Sequence, residues 1–294
     1  MATGDPEGSA TERDGGPTAL RIVLGSQLRR LREGAEISRA DAGYAIRGSE
    51  SKISRMELGR VGLKERDVSD LLTMYGMTDA DARDKFLAMV RRSNAPGWWH
   101  RYTDLMPDWF QDYVGLEEAA SRILTYETQF VPGLLQTEAY AMAIASHGRP
   151  ELAGPPVKRR VSLRMQRQKV MFRPGAPRLW AVIDESVLHR PIGGRQVLLD
   201  QIEHLLSVTK DGPITLQIVP YQLSGYAAEG PFTMLRFSER DLPDIVYLEH
   251  LAGALYLDKR EELEVYSRVF DRLTVDAETP DRSRQLLMKI RADL

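Results

Sequence analysis

The chain of 294 residues contains no cysteine. Disulfides, thiolate metal sites and cysteine nucleophiles are excluded together. No apolar run approaches the roughly 18 residues that cross a bilayer, so no membrane span is expected. The opening MATGDPEGSATERDGGPT lacks a basic start followed by an apolar stretch and predicts no secretory signal. Histidine is sparse, and His100, His147, His189, His204 and His250 show no metal-ligand spacing. There is no P-loop, dinucleotide glycine fingerprint, G-x-S-x-G or H-E-x-x-H. Asp184 and Glu185, at the end of what reads as the first strand, are placed as catalytic acids often are, but as single residues they read as ordinary polar groups. The absences predict a cytoplasmic protein that is not an enzyme and needs no cofactor, no metal and no membrane.

What is present is ordinary in bulk and uneven in detail. Hydrophobic residues make up 43% and charged residues 28%, the balance of a globular chain long enough for two domains. The net charge of −2 gives no global sign of a nucleic-acid partner. Between Arg21 and Arg60, however, nine Lys/Arg face five Asp/Glu, and Lys158 to Arg173 holds seven basic residues and no acid. A local footprint of this kind matters more than the total for DNA binding.

Residues 1–19, rich in Gly, Pro, Thr and acid, read as a disordered tail. Residues 20–93 read as five short helices. Leu24, Leu28 and Leu31 mark the first apolar face, Ser38 and Ser49 cap the next two helices, and Val68, Leu71, Leu72 and Tyr75 line a fourth that ends at Gly76. Thr78 is the expected cap of the fifth, with Phe86, Leu87 and Val90 inward. Residues 94–112 form an aromatic-rich junction, WWHRYTDLMPDWFQDY running just past it, that suits either a packed core or a ligand pocket. From 113 to 294 the pattern is α+β. Residues 114 to 148 read as helical, broken at Val131-Pro132-Gly133, and Val157 to Phe172 as a basic helix. LWAVIDE, ITLQIVP, FTMLRFS, DIVYLEH and ALYLD then read as about five strands of a mixed, mostly antiparallel sheet, with a helix from Arg195 to Thr209 and two helices closing the chain.

The stretch SRADAGYAIRGSESKISRMELGR, Ser38 to Arg60, carries the chemistry. A helix-turn-helix must pack two short helices steeply over a small contact and offer the second to the major groove. Ala42, Ile46, Ile53 and Met56 supply the inner set, and Gly43 sits where the helices approach. The outer face of the second helix then carries Glu50, Ser51 and Lys52, with Arg55 one turn on.

From Leu24 to about Met77 these residues resemble the bacterial Xre-type, phage-repressor-like helix-turn-helix family, most specifically in ISRMELGR. The resemblance implies a structural ion pair between Arg32 and Glu57. It implies base contacts from Arg39, Glu50, Ser51 and Arg55, and makes Ser49, Lys52 and Arg60 candidates for phosphate contacts, with the Ser49 hydroxyl alternatively spent on capping. The family usually places glycine just after the inner apolar residue of the second helix. Here Arg47 holds that place and Gly48 follows, so either the left-handed residue shifts by one or Arg47 adopts it.

From Gly97 onward the chain is similar to the large C-terminal domain of such regulators, a domain of unestablished role, with YETQFVPGLLQTEAYA as the most specific segment. That run serves either as architecture or, through the N–H groups after Pro132, as an anion site. Arg160, Arg164 and Arg167 share a helix face that suits a DNA backbone contact, a dock for an acidic protein, or a solvated face with some salt bridges to the acidic second half. The expected function is a sequence-specific transcriptional regulator that binds a double-stranded operator as a homodimer, its second domain receiving a small protein partner or a small-molecule effector. The alternative is an antitoxin-like or partner-binding protein whose DNA binding serves autoregulation.

Overall fold

The computed structural model describes residues 16–148, 154–222, 228–238 and 242–294. The expected tail lies outside them up to residue 15. Its last residues, however, are helical: α1 begins at Pro17 and runs to Gly34, with proline in the first turn where its missing N–H costs nothing. Then come α2 (Arg39–Ala45), α3 (Glu50–Glu57), α4 (Glu65–Met74) and α5 (Ala80–Ser93). Their apolar faces meet in one core that includes Leu24, Leu28, Ala42, Ile53, Met56, Leu72 and Val90. The fifth helix is capped by Asp79, one residue beyond the expected Thr78, through a 2.6 Å bond from the Ala82 N–H.

A 3-10 segment (Trp98–Leu105) and α6 (Asp108–Ala119) join the halves, so α6 runs across the boundary expected at residue 112. Trp99, Tyr102, Met106, Val114 and Leu163 pack as a small core of their own. α1 serves both domains. Leu24 and Leu28 face the helical core, whereas Ala19 and Val23 pack with Leu242, Ala119 and Phe237. Gly115 permits this seam, since a Cβ there would overlap the Thr18 side chain.

The second half is a six-stranded sheet of order β3-β2-β1-β4-β5-β6. β1 is Arg122–Glu127, β2 Arg178–Asp184, β3 Ile214–Val219, β4 Phe232–Arg236, β5 Ile245–His250 and β6 Gly253–Leu257. β1, β2 and β3 are parallel, and β4, β5 and β6 continue antiparallel. β1 corrects the sequence reading, which carried helix through residues 114 to 148 and counted about five strands. It lies between β2 and β4 and buries Ile123, Thr125 and Tyr126 on opposite faces. A strand covered on both faces lacks the alternation that marks an exposed one. Asp184 and Glu185 accordingly end the second strand of the sheet. On one face, α7 (Glu138–Gly148), α9 (Arg195–Val208) and α11 (Pro280–Asp293) cover Ile123, Ala181, Ile183 and Leu216. On the other, α10 (Arg260–Asp276) covers Tyr126, Val182 and Met234 with Phe270 and Leu273.

The run YETQFVPGLLQTEAYA starts in β1 and turns into α7, and its polar groups are used internally. Gln136 donates to the Val131 carbonyl at 2.6 Å, the Thr137 N–H reaches Gln201 at 2.7 Å, and the Leu135 N–H reaches the Pro132 carbonyl at 2.8 Å. The Leu135 and Thr137 N–H groups thus have protein partners, which supports the architectural reading of the run.

The basic helix α8 (Pro155–Gln168) turns Arg164 and Arg167 inward, while Lys158 and Arg159 stay exposed, which fits best the reading of a partly solvated face with salt bridges to the second half. Arg167 makes a two-pronged pair with Glu117, 2.9 and 2.8 Å, with both side chains buried. Its guanidinium lies over the Phe110 and Tyr113 rings. Arg164 donates to Gln136 at 2.6 Å. On the outer side Arg159 is paired with Asp104, and Arg173, beyond the helix, with Glu118. Near Arg164, burial and then the neighbouring Glu249 push the Glu127 carboxyl up to about 8, which Arg164 only partly opposes.

Two predictions follow from this buried charge. Arg167→Leu strands the Glu117 carboxylate and lowers stability by about 3–5 kcal/mol, read by denaturant unfolding, while Arg159→Ala leaves the midpoint unchanged. For Glu127 the folded state holds its proton more tightly than the unfolded chain. Its contribution is therefore intact below the ordinary value of 4.5 and is lost as pH rises toward about 8. Unfolding midpoints measured between those values should fall less steeply with pH in Glu127→Gln than in the wild type.

Candidate nucleic-acid interface

The helix-turn-helix is set by three local devices. The Ser38 hydroxyl caps α2 by accepting from the Asp41 N–H at 3.1 Å, and Ser49 caps α3 by accepting from Lys52 at 3.2 Å. The close approach falls at Gly43, where a Cβ would stand 2.9 Å from the Ser49 carbonyl carbon. The turn itself resolves the Arg47-Gly48 question. Arg47 takes the left-handed conformation at φ 51°. Its N–H bonds Tyr44 at 3.0 Å and the Gly48 N–H bonds Gly43 at 2.8 Å, the paired bonds of a Schellman stop. Gly48 has another use: a Cβ there would sit 2.8 Å from Cδ of Lys52.

Beneath the outer face lies Glu57, with its side chain 3% exposed. Arg32 donates to it through Nε at 2.5 Å and Nη2 at 3.2 Å, and also to the Ile37 carbonyl at 2.8 Å. The hydrogen bond to Glu57 raises the Arg32 pKa above its ordinary value despite burial. Arg39 adds a third bond, Nε to Glu57 Oε2 at 3.0 Å. One carboxylate thus holds α1, α2 and α3.

The residues read as DNA contacts divide into two sets. Glu50, Ser51, Arg55 and Ser49 are exposed at the start and along the outer side of α3. The Ser49 oxygen is engaged in capping. Arg39 is half-buried, with Nε committed to Glu57. Lys52 is held by Asp67 of α4 at 2.6 Å, which neutralises its charge within the domain. Arg60 is exposed but stands at the seam with α6, where burial raises the Asp112 carboxyl while Arg21 and Arg60 draw it down.

Two exposed residues of the helix-turn-helix escaped the sequence reading as contacts. Tyr44 is 88% exposed at the end of α2, and Arg47 is exposed in the turn beside α3. The signal for Tyr44 is an aromatic residue on the polar side of a short amphipathic helix. Arg47 drew attention for its backbone alone, although it also carries a free-standing cation toward solvent.

Arg32→Ala leaves Glu57 with only the half-exposed Arg39 and should lower stability by about 3–5 kcal/mol, seen as a lower melting temperature of the helical domain. Arg47→Gly relieves a left-handed side chain worth about 1–2 kcal/mol, less the entropy that glycine loses on folding. Its melt should be equal to or higher than that of the wild type.

Neither a curated protein nor a solved structure matches the chain. Residues 23–86 match the model of a helix-turn-helix domain, so α1 to α5 include a DNA-binding module. No helix among the described residues is long and apolar enough to cross a membrane. Residues 110–289, from α6 to the last helix, match the model of a domain of unknown function, DUF5753. That match covers more than half of the sequence, and the chain belongs to this family, with a helix-turn-helix domain at its N-terminal side.

Proposed function

We propose that the chain is a sequence-specific transcriptional regulator of the Xre type that binds a duplex operator as a homodimer. Its second domain receives a protein or small-molecule signal. The observation that carries this reading is the row Glu50, Ser51 and Arg55, exposed on a capped α3 whose inner side is locked through Glu57. Arginine grips guanine through O6 and N7, and glutamate accepts from cytosine N4. Tyr44 and Arg47, in front of α3, take the flanking backbone. Two copies place two such helices about one DNA turn apart on a palindromic site.

Catalysis has no part in this reading. The Asp184 carboxylate accepts from the Ser186 N–H at 2.9 Å, and buried Glu185 accepts from the Tyr221 N–H at 2.8 Å. Both acids terminate backbone in the manner of structural groups. Nor does the reading call on a metal: among the described residues no three His, Asp or Glu are grouped to hold one.

Chromatin pull-down with sequencing tests the reading. Wild type should recover sites that share a motif, and Arg55→Ala should lose it, at a cost of about 1–3 kcal/mol in affinity for the recovered site. An identical motif from the variant removes Arg55 as a reader. Salt titration separates the cations: Arg47→Ala should reduce the salt slope by about one unit, while Lys52→Ala, already paired with Asp67, should change it less.

A further inference from the structure

The two edges of the sheet end differently. At β3, the Ile218 N–H donates to the Ser283 hydroxyl at 3.0 Å, and its carbonyl accepts from the Glu278 N–H at 2.9 Å. The segment leading into α11 closes that edge. At the other edge β6 pairs with β5 and with no other described strand. Its sequence, GALYL, has no charge and no proline, and its register with β5 runs through five consecutive pairs without a bulge. Those are the devices that normally keep an open edge from recruiting another strand. The patch is also apolar outside the ladder: Leu251 at the hairpin tip is fully exposed, and Leu255 is 52% exposed.

We propose that β6 is the dimer interface, two copies pairing this strand antiparallel about a two-fold axis so that two six-stranded sheets become one. The proposal rests on the homodimer reading above and names its surface. Leu255 is the middle residue of the strand, so a two-fold axis through it sets Leu255 against Leu255 of the second copy. Ala254 then faces Tyr256, and Gly253 faces Leu257. The connection between β5 and β6 is the two residues Leu251 and Ala252. In such a hairpin His250 and Gly253 form the hydrogen-bonded closing pair, and alternation turns the N–H and C=O of Ala254 and Tyr256 outward. These are the groups that an antiparallel partner in this register needs, four bonds across the axis.

Charge does not oppose this occupant: the strand itself carries none, and in this register the exposed Asp258 and Lys259 fall across from Ala252 and Leu251 of the second copy, so no like charges meet beside the axis. Pairing of this kind is self-complementary and consumes the open edge, so assembly stops at two.

Sedimentation velocity on the full chain tests the interface. Wild type should sediment as a dimer. Leu255→Lys and Leu255→Glu each put like charges directly opposite and should each weaken the dimer by about tenfold or more. Because Leu255 is already half-exposed, the circular dichroism of both variants should match the wild type. An equimolar mixture of the two should recover the dimer, since ammonium now faces carboxylate. Dimers that persist in both charged variants overturn the edge assignment while the homodimer stands. Monomeric variants that fail to recover on mixing overturn it as well. A wild type that is monomeric throughout overturns the homodimer and its surface together.

Discussion

The Glu57 carboxylate is the point on which the DNA-binding domain hangs. It is buried, and a buried charge is tolerated only when its oxygens are bonded and its sign is opposed. Arg32 from α1 and Arg39 from α2 meet both conditions from two directions. The angle of α3, and with it the position of Glu50, Ser51 and Arg55, is therefore set from below by electrostatics as well as by the apolar contact of Ile53 and Met56. The Ile37 carbonyl, bonded to the same Arg32, brings the loop between α1 and α2 into the arrangement. α3 has only eight residues and buries just Ile53, Met56 and Glu57, so the ion network adds to a small apolar contact.

The second domain repeats the device. Arg167 and Glu117 form a buried bidentate pair, with aromatic rings beneath the guanidinium, and join α8 to α6. Arginine suits both places because its planar fork matches a carboxylate and its faces stack on rings. Two cations of the richest basic run in the chain, Arg164 and Arg167, are thus part of the interior framework, while Lys158, Arg159, Lys169 and Arg173 stay exposed. The exposed positive charge of the helix-turn-helix is more modest, at Arg47 in the turn and Arg55 on α3.

How legible each part was follows from where its determinants lie. The helix-turn-helix could be read because caps, inner residues and close approach are all local, within the 23 residues from Ser38 to Arg60. The pair of Arg32 with Glu57, 25 positions apart, was accessible only through family resemblance. The inward turn of α8 was not legible. Its partners Glu117 and Gln136 stand 50 and 28 residues away, and spacing along a helix says which residues share a face but not which face is covered. β1 was lost for the opposite reason: with neighbours on both faces it keeps no periodic mark of its own. Arg39 and Lys52 read as candidate DNA contacts, but their carboxylate partners Glu57 and Asp67 come from other helices and show only in three dimensions.

The two-sided packing of α1 bears on how the protein can be taken apart. A fragment ending after α5 would keep every helix of the DNA-binding core, and Leu24 and Leu28 would stay covered. Ala19, Ile22 and Val23, however, would lose Leu242, Ala119 and Phe237 and lie bare along one side of the first helix. Such an excised module is a folded unit with an adhesive flank. Its self-association would report the severed seam, not the oligomer of the intact chain.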